Sequence, residues 1–265
     1  MTITTGGIHM ERDFDRSYAD GFAEYRKMDL FLPEGERQQT ALLFIHGGGW
    51  YKGRKEQWHS VCEHFADRGF VCASISYRLT PQFRFPAQVE DVRLAMQYLK
   101  GQSDDLGFAR DRIVVVGSSA GGYLACMLAT LGRDDSIGAT KELRDRDTMP
   151  YAVIGYCPIT TLFVSKTTIE QLMVCSPDDN EQLYRDASPV CRVSGREPPF
   201  LLLHGDMDMR IPVEEVKSFH ERLLAEGGSS RLVILPGVPH GFGYGVRTPA
   251  QLEALAQAEL FLRQL

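Results

Sequence analysis

The chain has 265 residues, 43% hydrophobic and 24% charged, which is enough apolar side chain for a large core and excludes a disordered or fibrous protein. Acidic side chains outnumber basic ones, 35 to 29, for a formal net charge of −6; with no run of Lys or Arg to track a phosphate backbone, neither nucleic acid nor a membrane is an expected partner. No segment reaches the about 18 consecutive apolar residues that span a bilayer, and the first residues lack the basic and apolar regions of a signal peptide, so a cytoplasmic location is expected.

In chain order, residues 1–24 show no strong periodicity and are expected to form an N-terminal arm ahead of one α/β domain over 25–265. Short apolar runs predict strands at 27–32, 41–45, 71–76, 113–116, 152–156, 200–203 and 231–235. Several of these do not alternate with polar residues, as in Ala-Leu-Leu-Phe-Ile at 41–45, which is the pattern of strands buried on both faces of a parallel sheet. Amphipathic stretches predict helices at 58–68, 89–100, 119–131, 213–226 and 249–264, with Gly69, Gly101, Gly132 and Gly227 as stops after four of them. The alternation predicts a mainly parallel central sheet of about eight strands flanked by helices. Residues 161–194, the least regular stretch, are expected to form a short lid-like insertion. The mixed charges at 141–147 suit a solvated surface, and the six scattered cysteines, without a Cys-x-x-Cys pair, predict free thiols and no zinc site.

Gly117-Ser118-Ser119-Ala120-Gly121 fits the Gly-x-Ser-x-Gly elbow, in which a serine is exposed on a strained turn between strand and helix. The predicted strand before it and helix after it supply that setting. A serine hydroxyl needs a base, and histidine titrates in the right range. Of seven histidines, His240 lies in the turn-rich loop 236–242 beyond the last predicted strand. His9 falls in the arm, His59, His64 and His220 fall on predicted helices, and His204 ends a strand. His240 is therefore the candidate base. Asp208, in His-Gly-x-x-Asp after the strand at 200–203, is the candidate acid that orients it, in the chain order Ser, Asp, His. Asp206 is expected to bond loop backbone. After the strand at 41–45 comes His46-Gly-Gly-Gly-Trp50, whose Gly48 and Gly49 amides, with that of Ala120, are candidate oxyanion donors. His46 is expected to brace this loop.

Together with Ser76-Tyr-Arg-Leu79, 85–91 and Ala187-Ser-Pro-Val190, these motifs resemble the α/β-hydrolase esterases over about residues 25–265, and most resemble the bifunctional feruloyl and acetyl-xylan esterase-like branch near the hormone-sensitive lipase-like enzymes. The resemblance implies an α/β-hydrolase fold and hydrolysis of carboxylic esters through an acyl-enzyme, with no metal and no organic cofactor. It implies Ser119 as nucleophile, His240 as base and acid, Asp208 as orienting acid, and structural roles for Asp91 and Arg78. The chain lacks the long N-terminal helical cap of the hormone-sensitive lipase group, which suggests an open site for short acyl groups, with acetyl, feruloyl or acylated-sugar esters as the small-molecule substrate class. Trp50, Phe83 and Phe85 are candidate entrance residues. An amidase, such as an aryl-formamidase or small peptidase, is the alternative reading, and a non-catalytic binding module the third. Whether the chain forms a homo-oligomer does not follow from the sequence.

Overall fold

The computed structural model describes residues 10–144, 146–164 and 166–265, so His9 lies outside the described residues. Eight strands form one sheet: β1 (Met10–Ser17), β2 (Lys27–Pro33), β3 (Ala41–Ile45), β4 (Val71–Ile75), β5 (Ile113–Ser118), β6 (Ala152–Tyr156), β7 (Phe200–Gly205) and β8 (Ser230–Leu235). Their spatial order is β1-β2-β4-β3-β5-β6-β7-β8, antiparallel for the first two pairings and parallel across the other five. Every residue of β3, β4, β5, β6 and β7 is buried, which is why their sequences read as continuous apolar runs.

The helices are α1 (His59–Ala66), preceded by a 3-10 turn at Lys55–Trp58, α2 (Ala87–Gly101), α3 (Ser103–Leu106), α4 (Ala120–Thr130), α5 (Thr167–Leu172), α6 (Glu181–Asp186), α7 (Pro189–Arg192), α8 (Val213–Ala225) and α9 (Pro249–Gln264). The connection from β3 to β4 moves one way across the sheet and that from β4 to β5 the other, so right-handed crossovers place α1 and α2 on opposite faces. α2 packs against α4, and α7 packs against both α4 and α8. On the other face, α1 meets α9 through His64 Nε2 and Glu259 Oε1, 2.8 Å apart. Among the described residues, no helix is long and apolar enough to cross a membrane. All six cysteines are free.

Part of the expected arm joins the sheet. Residues 10–17 pair with β2 as an antiparallel edge strand, and Phe14 packs on Phe31 at a centroid distance of 5.5 Å. The sequence Met-Glu-Arg-Asp-Phe-Asp-Arg-Ser hides this strand, because its edge position leaves most side chains in water and a register shift between Asp13 and Arg16 breaks the alternation.

The region 78–91 is clamped by charge. The Asp91 carboxylate, fully buried, accepts from Arg26 Nε at 2.8 Å and from the Arg78 backbone N–H at 2.8 Å, and it pairs with Arg78 Nη2 at 2.8 Å. Each buried charge thus has a hydrogen-bonded partner. This network ties the start of α2 to the segment leaving β4.

Candidate active site

At β3 and β5 the chain direction across the sheet reverses, so the loops leaving their carboxyl ends diverge and open a crevice, the usual ligand site of such sheets. Gly47, Gly48 and Gly49 follow β3, and Ser119 follows β5. The loops after β7 and β8 carry Asp208 and His240 to the same edge.

Ser119 has φ 56° and ψ −118°, a backbone conformation that L side chains rarely adopt. Its N–H donates to the Tyr156 carbonyl at 2.8 Å, which pins the turn to β6. Gly121 lets the turn approach β3, since a β-carbon there would lie 2.1 Å from the Ile45 carbonyl oxygen. His240 Nε2 lies 3.0 Å from Ser119 Oγ, and His240 Nδ1 lies 2.6 Å from Asp208 Oδ2. The other Asp208 oxygen accepts the N–H groups of Arg210 at 2.8 Å and Ile211 at 2.9 Å. Burial alone would raise the Asp208 pKa, but hydrogen bonds from His240, Ile211 and Arg210 outweigh it and hold the carboxyl below the usual range. Asp206 accepts from the Gly237 N–H at 2.7 Å, in line with a loop-bracing role.

The loop after β3 turns sharply, with Gly48 at φ 111°. Among the described residues, the N–H groups of Gly48, Gly49 and Ala120 have no protein acceptor, and Ala120 opens α4, where the first amides lack intrahelical partners. His46 sits beneath, fully buried, stacked on Tyr77 at 4.3 Å with Nδ1 2.7 Å from the Gly47 carbonyl oxygen. Burial lowers its pKa to about 4, so the ring is neutral at pH 7.

The cleft over Ser119 has a volume of about 610 Å³. Trp50, Phe83 and Phe85 do not line it, contrary to the expectation for an entrance. Trp50 is fully buried with its ring edge-on to Tyr123 at 5.2 Å. Phe83 packs against Phe22 and Tyr25, and Phe85 is buried in the core. The Trp50 backbone, at φ 63°, turns the side chain inward from a loop that otherwise faces the cleft. The walls instead carry Tyr51, Lys52, Met209, Arg210 and Tyr244, among others, with Lys166, Thr167 and Thr168 contributed by residues 161–194. Of these, Lys166, Thr167 and Thr168 had a sequence signal, as part of the irregular stretch 161–194, whereas Tyr244 lies two residues beyond the loop 236–242 that carries His240.

Among the described residues, the group of metal-type donors is Cys157, His204 and Asp208, with ligand atoms within 4.8 Å of one another. Both Asp208 oxygens accept protein hydrogen bonds, His204 Nε2 lies 2.9 Å from the Ile211 carbonyl oxygen, and burial keeps the Cys157 thiol protonated. A metal there would have to deprotonate the Cys157 thiol and compete with these hydrogen bonds. What the cleft does offer is a serine hydroxyl against an imidazole, a carboxylate behind the imidazole, and free amides beside the hydroxyl. Such an arrangement can move one proton away from Oγ and hold a developing oxyanion.

The sequence model of the BD-FAE family matches residues 28–223. Esterase LipC of Mycobacterium tuberculosis is 37% identical over 240 residues, covering 84% of this chain and 58% of the relative. This chain spans little more than half the length of the mycobacterial relatives it matches. Among solved structures, the butyrate-bound thermophilic esterase Est2 of Thermogutta terrifontis is 26% identical with a TM-score of 0.82, covering 95% of this chain and 93% of that one. A truncated carbohydrate esterase from gut microbiota, 21% identical, shares the fold with a TM-score of 0.85 and covers 97% of each chain. With the sheet order, the crevice and a family match over most of its length in agreement, this chain belongs to the BD-FAE family and has the α/β-hydrolase fold.

Proposed function

We propose that the protein hydrolyses carboxylic esters of short acyl groups, with Ser119 as nucleophile, His240 as general base and acid, Asp208 as its orienting acid, and the amides of Gly48, Gly49 and Ala120 as oxyanion donors. The observation that carries this reading is the continuous hydrogen-bonded line from Ser119 Oγ through His240 to Asp208, 3.0 and 2.6 Å in its two steps. Its neutral rival, an ordinary surface serine in a Gly/Ser turn, explains neither the strained φ of Ser119 nor the buried carboxylate aimed at His240.

In the first step the Ser119 proton passes to His240 Nε2 as Oγ bonds to the acyl carbon, and the carbonyl oxygen takes up the negative charge at the three amides. As the tetrahedral species collapses, the alcohol leaves with the proton from His240, and Oγ keeps the acyl group. Water then attacks the acyl carbon, losing a proton to His240, and Ser119 regains its proton as the acid departs. Asp208 stays ionised throughout, stabilising the imidazolium and fixing its tautomer.

A cleft of about 610 Å³ suits short acyl chains, and the butyrate seen in the Thermogutta terrifontis relative supports the same size class. Relatives that are named esterases support ester over amide cleavage. The test is a rate series over acetyl, butyryl, octanoyl, feruloyl and acetylated-sugar esters alongside an N-formyl anilide. The expected maximum lies at or below four carbons or at the feruloyl or acetylated-sugar esters. A maximum at octanoyl would overturn the short-acyl reading, and faster cleavage of the anilide would replace the esterase with an amidase.

A further inference from the structure

Although the chain is acidic overall, its cleft is not. Lys52, Lys166 and Arg210 all line it, and among the described residues no Asp or Glu does. None of the three has an ion-pair partner among the described residues, whereas Lys55, Arg26 and Arg78 elsewhere are each paired with one or more carboxylates. Lys166 is directed by its Nζ donating to the Arg210 carbonyl at 2.9 Å, which bridges the insertion to the loop that carries Asp208. Lys52 lies over the Tyr51 ring at 5.3 Å and remains exposed.

Asp208 and Glu215 lie behind the wall, Glu215 close enough to Lys166 to feel its charge. Asp208 is committed to His240 and to two backbone amides. Glu215 accepts the Thr160 N–H at 2.8 Å, and burial raises its pKa. Counting both as fully ionised still leaves the cleft with net positive charge. A recess with one sign of charge and low-dielectric walls concentrates counter-ions of the other sign.

We infer that this cleft selects esters that carry a free carboxylate in addition to the ester bond, held by Lys52, Lys166 and Arg210. This rests on the reading of Ser119 as the nucleophile. A carboxylate fits better than a bulkier polyanion, because the surplus charge is small and the Arg210 guanidinium presents a planar fork that matches a carboxylate. The carboxylate can belong to the alcohol part, as in an acylated hydroxy acid or uronic acid, or to the acyl part, as in the half-ester of a dicarboxylic acid.

Two matched pairs separate these sources: 4-acetoxybenzoate against 4-acetoxybenzamide, and monomethyl glutarate against its neutral glutaramate ester. The kcat/KM ratio within each pair is measured at pH 7 in dilute buffer and in about 1 M salt, where the screening length falls to about 3 Å. The expected result is an advantage of about tenfold for the anionic member of at least one pair, the scale set by one or two charge contacts near a surface. That advantage contracts toward unity at high salt and in the variant Lys52→Gln/Lys166→Gln/Arg210→Gln. Ratios at or below one in both pairs, or a preference that survives the triple substitution and high salt, would overturn the inference. The salt series on the unaltered protein decides the matter even where the variant folds poorly. Neutral esters hydrolysed without any anionic preference would sink this inference alone, whereas no turnover of any ester would sink the esterase reading with it.

Discussion

Tyr244 and Gly47 are joined across 197 positions of sequence by a hydrogen bond of 2.5 Å from the glycine N–H to the phenolic oxygen. The contact ties the loop that carries His240 to the loop that carries Gly48 and Gly49. One phenol therefore braces the loop whose amides are the proposed oxyanion donors.

On the proposed roles Tyr244 is a positioning residue, and Tyr244→Phe tests it. The buried Gly47 N–H loses its acceptor, which costs about 1–3 kcal/mol and loosens the neighbouring amides. The expected outcome is a fall in kcat of about tenfold with little change in KM, since the loss falls on donors that tighten in the transition state. A rise in KM at constant kcat would assign Tyr244 to substrate contact instead.

Ser119 offers two readouts from one position. Ser119→Ala is expected to lower kcat by about 10⁶-fold. Ser119→Gly, equally inactive, is expected to be more stable than the alanine variant by about 1 kcal/mol in urea titration, because φ 56° with ψ −118° suits glycine and strains alanine. Ordinary backbone entropy would order them the other way, so an alanine variant more stable than the glycine one would count against strain at the elbow.

Stability should fall on mild acidification. His46 is neutral in the fold because burial lowers its pKa to about 4, whereas an unfolded histidine takes up its proton near 6.5. Between those values the unfolded chain binds more protons, so unfolding free energy drops as pH falls from 6.5 toward 4, by up to about 1.4 kcal/mol per pH unit from this one group. Burial shifts His204 in the same direction and adds to the slope. Urea titrations across this window are expected to give a shallower slope for His46→Gln than for the unaltered chain, by about one proton. Equal slopes would show that His46 is protonated in the fold.

Asp91→Ala removes the carboxylate shared by Arg26 and Arg78, whose side chains are 5% and 6% exposed. Two buried guanidinium groups then lose their principal partner, and a loss of about 3–5 kcal/mol in unfolding free energy is expected. Glu90 remains within reach of both arginines, so a loss under about 1 kcal/mol would show that it takes over the pairing.

The central strands and the long helices are legible in the sequence because burial on both faces of a parallel sheet leaves continuous apolar runs, and amphipathic helices leave a stripe. The segments Ala41–Ile45, Ala152–Tyr156 and Pro249–Gln264 match their predicted bounds for that reason. Ser119, Asp208 and His240 could be proposed because each follows a recognisable strand in a turn-rich motif, so their chain positions alone placed them at one edge of the sheet. What only the tertiary structure decided is everything that depends on side-chain direction or on partners distant in sequence. The edge strand β1 is held by pairing with β2, not by its own pattern. Trp50 turns inward where its motif suggested an entrance, while Lys52, Lys166 and Arg210, from three separate loops, converge on one cleft. Periodicity reports which residues leave water; it carries no information on which loops meet, and that meeting is set by the packing of the sheet as a whole.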